Sequence, residues 1–190
     1  MKARLVLASA SPRRKDLLEE AGFDVVCVVS GADEIEDHTF TPAALALENA
    51  SRKAGAVVHR FPGETVIAAD TVVWMDGRFF GKPADKEEAL RMLLELSGRT
   101  HEVVTGVVIR GPGIPPRTFA ESSRVSFHPH AAPALRAYLD TIHSLDKAGA
   151  YAAQDDNGRI IRSIDGSLTN VIGLPMERLL EALATVPSGR

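Results

Sequence analysis

A long predicted β-hairpin constrains the fold of this chain more than any other feature of its sequence. Two apolar segments, Glu102–Arg110 and Arg117–Phe127, flank a short stretch rich in glycine and proline. Long strands joined in this way pair antiparallel in one sheet. A second hairpin is predicted where Asp76-Gly77 separates the strand Val66–Met75 from Arg78–Phe80. Because helices are predicted between these hairpins, we expect an α/β fold with a mixed sheet rather than a purely parallel one.

The other predicted strands and helices alternate along the chain. Strands are predicted at Arg4–Ala8, Phe23–Val29 and Arg159–Ile164. Helices are predicted from Pro12 to Gly22 with Ser11 as N-cap, and over Thr41–Val57, Asp85–Leu96, Ala132–Thr141 and Pro175–Leu183. The tail Pro187–Arg190 is expected to be frayed. No repeat, low-complexity tract or linker divides the sequence, which predicts one domain, residues 1–190, with two lobes around a cleft.

The composition excludes several classes of protein. The chain is 45% hydrophobic and carries a net charge of −3, so it has no overall attraction to nucleic acid or to an anionic membrane. No apolar run reaches the length of a membrane span or of the central region of a signal peptide. The one cysteine, Cys27, lies in an apolar stretch and is predicted to be a core residue of a cytosolic protein. We therefore expect a soluble protein in which any affinity for phosphate is local.

The first predicted helix begins with cations, at the end where the helix dipole disfavours them. Ser9-Ala10-Ser11-Pro12 is followed directly by Arg13, Arg14 and Lys15, although free N–H groups already make this end positive. A helix N-terminus that follows a strand is an anion site, and serine hydroxyls and arginine forks add donors suited to phosphate. The alternative is a capped helix with solvated basic residues. The Walker pattern Gly-x-x-x-x-Gly-Lys-[Ser/Thr] is absent.

A single acid, Asp70, interrupts the apolar strand Val66–Met75. A buried, unpaired carboxylate is costly, so Asp70 requires a metal ion, a cationic partner or a position in a wet cleft. One alternative is a purely structural ion pair. Another, the aspartyl nucleophile of a phosphohydrolase, is disfavoured because that class uses Asp-x-Asp and the residue two after Asp70 is Val72.

Other charged residues suit phosphate or a metal ion, and each also has a plainer interpretation. Lys82, in Gly81-Lys82-Pro83, and Lys53, in the second helix, would each place an ammonium group beside phosphate or lie on the surface. Asp33 and Glu34 offer oxygen ligands to a hard cation such as Mg²⁺, or belong to a solvated acidic loop. The histidines show no zinc spacing, and none of them, His101 included, is assigned a catalytic role.

A run of small residues, Asp146–Tyr151, would allow the backbone to approach a ligand closely. Gln154 follows this run, and its amide is able to read the edge of a nucleobase. Tight packing of helices is the alternative explanation for the small residues.

In their order along the chain, these motifs resemble those of the Maf family. They are Ser9-Ala10-Ser11-Pro12-Arg13-Arg14, Asp33-Glu34, Lys53-Ala54, Ala69-Asp70-Thr71, Gly81-Lys82-Pro83, Ser97-Gly98-Arg99-Thr100-His101-Glu102-Val103, Asp146–Tyr151 and Gly173-Leu174-Pro175. The resemblance implies a two-lobed α/β fold similar to that of inosine triphosphate pyrophosphatases. It also implies a cytoplasmic homodimer that hydrolyses a nucleoside triphosphate to the monophosphate and pyrophosphate with a divalent metal ion, Mg²⁺ or Mn²⁺.

The same resemblance implies roles for individual residues. Asp70 matches the acidic catalytic residue of the family, and Asp70 and Glu34 are the expected contacts of the metal ion. The positions tied to substrate choice are Arg13, Thr71 and Gln154. The residues that match the polar lining of the cleft are Ser9, Arg14, Glu34, Lys53 and Lys82.

Within the family, Tyr151 and Gln154 resemble the subgroup that acts on dTTP and UTP, whereas a subgroup acting on methylated guanine nucleotides tends to have Phe and Glu at these places. The chain departs from the first subgroup after Gln154, because Asp155-Asp156-Asn157 precedes the glycine. Two extra acids beside the base site bear on the substrate preference rather than on the reaction. The alternative function is a nucleotide-binding regulator of cell division with little turnover, since the family name derives from inhibition of septum formation.

Overall fold

The computed structural model describes residues 4–37, 39–113 and 115–184. The strands in these ranges are β1 (Arg4–Leu7), β2 (Asp24–Cys27), β3 (Thr65–Met75), β4 (Arg78–Phe80), β5 (Thr100–Arg110), β6 (Arg117–Phe127) and β7 (Ile161–Asp165). The helices are α1 (Pro12–Glu20), α2 (Pro42–Val58), α3 (Lys86–Leu96), α4 (Ala132–Leu139), α5 (Leu168–Ile172) and α6 (Met176–Ala184). Two 3-10 turns, Ala148–Ala150 and Ala153–Asp155, precede β7. None of the described helices is both long and apolar enough to cross a membrane.

The described strands form one seven-stranded mixed sheet. Its order is β2-β1-β3-β5-β6-β7, with β4 beside β3. β1 is parallel to both β2 and β3, whereas the pairs β3–β4, β3–β5, β5–β6 and β6–β7 are antiparallel. The predicted α/β fold with a mixed sheet is therefore confirmed.

Both predicted hairpins are present. β5 and β6 pair in continuous register from Thr100↔Ser126 to Ile109↔Arg117. β3 and β4 are joined by Asp76 and Gly77, whose φ angles of 50° and 81° are those of a two-residue turn matched to the twist of a hairpin.

Along one edge of β3, strand β1 pairs with the first residues and strand β4 with the last, and the residues between them have no partner strand on that edge. β1 pairs with β3 as far as Ile67, and β4 pairs with it from Val73 onward. Residues 68–72 pair only with β5, on the other edge. Asp70 and Thr71 lie in this gap, so the central strand presents an acid and a hydroxyl where no neighbouring strand covers it.

Helix α2 covers one face of the sheet and lies directly on β5. Its apolar side packs on alternate residues of β1, β3 and β5. Gly106 of β5 allows the close approach, because a Cβ atom at this position would lie 2.5 Å from the backbone carbonyl carbon of Ala46. Gly106 is also the cross-strand partner of Asp70, so α2 passes directly over the acid.

The opposite face of the sheet carries two separate apolar clusters. One gathers around α3 and α4 and includes Leu93, Phe127 and Tyr138. The other gathers around α1 and α6 and includes Leu18 and Leu179. The polar residues Thr71 and Thr105 lie on the same face of the sheet, between the residues of β3 and β5 that join each cluster. The two clusters form two lobes, and we call the polar strip between them, which contains Thr71 and Thr105, the seam.

Several sequence-based expectations need correction. Cys27 is exposed rather than buried, because it is the last residue of β2 and β2 is an edge strand. Ser11 precedes α1 as predicted but makes no capping bond with its side chain; instead the Ser9 hydroxyl accepts from the Ser11 N–H. The short helix α5 was not predicted. The tail Pro187–Arg190 lies outside the described residues.

Candidate active site

Asp70 is buried in the gap of β3 and is held by two side chains of α2. It is 7% exposed. One carboxylate oxygen accepts from Lys53 Nζ at 2.6 Å, and the other accepts from Asn49 Nδ2 at 3.2 Å. Of the partners that the sequence left open for this acid, the structure places a cation beside it. Asn49 was missed by sequence reasoning, although it lies four residues before Lys53 and hence on the same helix face.

Glu34 joins the same cluster from the acidic loop. Its carboxylate lies 2.7 Å from Lys53 Nζ, so one ammonium group is shared between Glu34 and Asp70. Burial acts to raise the pKa of Glu34, but the hydrogen bond from Lys53 and the charges of Lys53, Lys82 and Arg14 outweigh it and hold that pKa below its ordinary value. Asn49 fixes the loop, because its side chain bonds both the N–H and the carbonyl of Ile35. Asp33 is exposed and, among the described residues, forms no hydrogen bond or ion pair with this cluster.

Arg14 is buried and fully oriented by the protein. Its Nε donates to the carbonyl of Gly173 at 2.8 Å, Nη1 donates to Ser9 Oγ at 3.1 Å, and Nη2 donates to Thr71 Oγ1 at 3.0 Å. A guanidinium has five N–H donors, so two remain for a ligand. The unusual cation at the start of α1 is therefore explained by its partners, which lie on three other parts of the chain.

Ser9 can only donate to a ligand. Its hydroxyl oxygen already accepts from Arg14 Nη1 and from the Ser11 N–H, which occupies both of its lone pairs. No group in the described part of the chain accepts its one proton, which is left for a ligand. Ser9 and Arg14 together present hydrogen-bond donors at the N-terminus of α1, which is the arrangement that phosphate oxygens require.

Arg13 and Arg14 point in different directions. Arg13 Nη1 forms an ion pair with Asp146 at 2.7 Å, and Asp146 also accepts from Lys147 at 2.6 Å. Burial acts to raise the pKa of Asp146, but the hydrogen bonds from Lys147 and Arg13 outweigh it and leave that pKa lowered. Arg13 thus fastens α1 to the 146–151 segment instead of lying beside Arg14.

Lys82 and Gln154 are the least constrained of the predicted site residues. Lys82 is exposed, and its charge acts on Glu34. Gln154 is exposed in the Ala153–Asp155 turn. Neither side chain makes a hydrogen bond to the part of the chain that the structure describes. Both are therefore free to bind a ligand, and the protein itself does not fix their final orientation.

The extra acids after Gln154 have a structural explanation. Asp156 is 2% exposed, and its carboxylate accepts from the N–H groups of Ile160 and Ile161 at 3.1 and 2.9 Å. Asn157 and Gly158, at φ angles of 49° and 74°, complete the turn. Asp156 is thus turned into the fold, and Asp155 alone adds an exposed charge beside Gln154.

His101 supports the 146–154 segment from within the sheet. It is 2% exposed, and its Nε2 lies 2.9 Å from the hydroxyl of Tyr151. Burial lowers the pKa of His101 to about 4. Its ring packs edge-on against the rings of Phe127 and Tyr151.

This buried histidine makes stability depend on pH. The neutral form is favoured in the folded state, so its contribution is complete above the unfolded pKa of about 6.5 and is lost as the pH falls toward 4. We expect the wild type to lose about 2 kcal/mol more unfolding free energy between pH 7 and pH 5 than His101→Asn does. Urea unfolding at both pH values measures this, with the exposed His59→Gln as a matched control. Equal losses in all three proteins would show that His101 does not titrate in this range.

Known proteins match this sequence over most of its length. The family model described as Maf-like protein matches residues 4–186. A dTTP/UTP pyrophosphatase from Akkermansia muciniphila is 42% identical over 179 residues, covering 94% of each chain. One from Symbiobacterium thermophilum is 44% identical, covering 95% of this chain and 92% of its own. One from Bacillus velezensis is 39% identical, covering 96% of both.

Solved structures agree with the fold. A Ham1 protein from Staphylococcus aureus matches with a TM-score of 0.51 and 18% identity, over 95% of this chain and 97% of its own. A HAM1 protein from Coxiella burnetii matches with a TM-score of 0.54 and 16% identity, over 97% and 100%. At these identities the likeness concerns the fold alone. Because the family model covers residues 4–186, and relatives at 42% and 39% identity match 94% and 96% of the sequence, this chain belongs to the Maf family.

Proposed function

We propose that the protein is a nucleoside triphosphate pyrophosphatase that hydrolyses dTTP and UTP to the monophosphate and pyrophosphate. The observation that carries the proposal is that the open edge of β3 holds both a buried carboxylate, Asp70 bound by Lys53, and the guanidinium of Arg14, which keeps two N–H donors for a ligand. The names of the curated relatives support the substrate class. One domain carries the whole site in this proposal.

In the proposed reaction, Asp70 activates the attacking water, and cations neutralise the leaving group. Lys53 Nζ and Asn49 Nδ2 fix the carboxylate of Asp70 from two sides, so one orientation is maintained without a substrate. Arg14 and Ser9 donate to phosphate oxygens and Lys82 adds positive charge, whereas the charge of Arg13 is already paired with Asp146. Charge placed where it develops in the transition state is the main source of catalysis in phosphate transfer.

The acids at the site fit a divalent cation that arrives with the substrate. Glu34 and Asp70 each place a carboxylate oxygen within 2.7 Å of one nitrogen, Lys53 Nζ, so the two carboxylates lie close together around that ammonium group. Among the described residues no group of three His, Cys, Asp or Glu side chains is arranged to hold a metal ion. Mg²⁺ is commonly held by one or two carboxylates together with substrate phosphates. Mg²⁺ or Mn²⁺ held by Glu34 and Asp70 would supply polarisation of phosphoryl oxygens and of water.

We propose that Gln154 recognises the base. Thr71 and Arg13 are the other two residues that the family resemblance links to substrate choice. Its side-chain amide both donates and accepts, which suits the neighbouring carbonyl and ring N–H of a pyrimidine. The proposal further takes the enzyme to be a cytoplasmic homodimer, as the family resemblance implies, and one that does not bind nucleic acid, as its net charge of −3 suggests. The alternative, a regulator with little turnover, is not favoured, because the curated relatives are named as pyrophosphatases.

Product analysis tests the proposal directly. Purified protein is incubated with dTTP, UTP, ATP or GTP and with Mg²⁺ or Mn²⁺, and the products are separated. We expect pyrophosphate and the nucleoside monophosphate, with dTTP and UTP consumed fastest. Release of orthophosphate would instead identify a phosphatase, and nucleotide binding without product would favour the regulator.

A further inference from the structure

A chain of hydrogen bonds runs from Arg14 to helix α5 through the hydroxyl groups of Thr71 and Thr105, which lie on one face of the sheet. Arg14 Nη2 lies 3.0 Å from Thr71 Oγ1, and Thr71 Oγ1 lies 2.9 Å from Thr105 Oγ1. Thr105 Oγ1 in turn donates to the backbone carbonyl of Asn170 at 3.1 Å. Thr105 and Asn170 are fully buried, so water does not compete for these bonds.

The direction of every bond in this chain is fixed by chemistry. Arg14 can only donate and a carbonyl can only accept. Because Thr105 gives its one proton to Asn170, it must accept from Thr71. Thr71 therefore donates its hydroxyl proton to Thr105 and accepts a hydrogen bond from Arg14, so its hydroxyl cannot also donate to a substrate.

Both ends of the chain meet at α5. Its residue Asn170 accepts from Thr105, and the carbonyl of Gly173, directly after the helix, accepts from Arg14 Nε. The Asn170 side chain fastens α5 to the sheet, because Nδ2 donates to the carbonyl of Val103 and to Ser123 Oγ. Ser123 also bonds the N–H and the carbonyl of Ser167. The short helix α5 is thus hydrogen-bonded to strands β5 and β6. Together with Gly173 it holds two nitrogen atoms of the Arg14 guanidinium: Nε directly, and Nη2 through the two threonines.

We propose that Thr105 is a positioning residue, which acts through Thr71 to hold the Arg14 guanidinium in the orientation that binds the pyrophosphate part of the substrate. The inference rests on the proposed function only for the identity of this anion. It assigns Thr71 a role in orienting Arg14, in addition to any contact with the nucleotide. Thr105 itself touches neither the cleft nor the substrate, since it is fully buried.

The test measures binding of inorganic pyrophosphate by calorimetry, so that it does not depend on turnover. Thr105→Val keeps the shape of the side chain and removes its hydroxyl. We expect it to weaken pyrophosphate binding about tenfold, the effect of one lost hydrogen bond, and to raise KM for dTTP with a smaller change in kcat. Thr105→Ser restores the hydroxyl and is expected to bind pyrophosphate like the wild type.

Thr100→Val is the matched control. Thr100 lies on the same strand and bonds Ser126 at 2.8 Å, away from Arg14, so pyrophosphate binding should be unchanged. Should Thr105→Val fail to fold, Thr71→Val breaks the same chain one bond nearer to Arg14 and is measured in its place.

Pyrophosphate affinity that is equal in the wild type and Thr105→Val, or reduced equally in Thr105→Val and Thr105→Ser, overturns the inference. A protein that hydrolyses no nucleotide but binds pyrophosphate tenfold less tightly as Thr105→Val would refute the proposed function and leave the role of Thr105 supported.

Discussion

Asp70→Asn is expected to lower the turnover of dTTP by roughly a hundredfold or more, the usual effect of removing a general base. The substitution keeps the shape of the side chain but removes its charge and its ability to accept a proton. Lys53 retains Glu34 as a partner at 2.7 Å, so the variant should fold. Initial rates of pyrophosphate release with Mg²⁺ and with Mn²⁺ measure the loss, and thermal unfolding verifies the fold.

Asp140→Asn provides the control for this substitution. Asp140 is exposed and pairs with Lys86 on the surface, so its loss should leave turnover within twofold of the wild type, since exposed pairs contribute little. Near-normal turnover in folded Asp70→Asn protein would remove Asp70 from the mechanism.

The second large effect is expected at Gln154. Gln154→Glu replaces the donor of the amide by a second acceptor, which the carbonyl of a pyrimidine cannot satisfy. A bound base would cover the exposed side chain of residue 154 and leave the facing acceptors unpaired, and such a site rejects its ligand strongly, so we expect dTTP turnover to fall about a hundredfold. Guanine presents donors on its edge, so GTP should lose less than dTTP or gain.

A panel of dTTP, UTP, ATP, GTP and modified nucleotides at equal concentration measures the ranking. Asn157→Asp adds the same charge to the same loop, three residues away, and separates a change of base reading from a general repulsion of phosphate. A wild type that prefers a guanine nucleotide, or an unchanged ranking in Gln154→Glu, would show that another residue reads the base.

The sequence predicted those features that follow from charge and periodicity. An acid in an apolar strand requires a partner, and Lys53 lies on the helix that packs against that strand. The two hairpins followed from turn residues and from the long apolar segments beside them. The sequence analysis treats Arg13 and Arg14 alike, as donors to phosphate. Consecutive helical residues point about 100° apart, however, and only Arg14 faces the seam.

Features that depend on neutral polar groups were not predictable from one sequence. Asn49, Thr105 and Asn170 carry no charge and occur in ordinary helix or strand patterns, so nothing local marks them as partners of Asp70 or Arg14. Helix α5 has five residues and is too short for a periodic pattern. Cys27 was misplaced because an apolar stretch does not reveal whether its strand lies at the edge of a sheet.

The glycine of β5 beneath α2, Gly106, affects how sequence variation in this chain should be interpreted. Gly106 is the cross-strand partner of Asp70 and lets α2 rest on the strand, so the reach of Lys53 and Asn49 to the carboxylate is set by a residue that has no side chain. Even alanine there must lift the helix away from the acid. In a survey of random substitutions, position 106 would therefore score among the acids and bases of the reaction, and a catalogue built only from chemically reactive groups would overlook it.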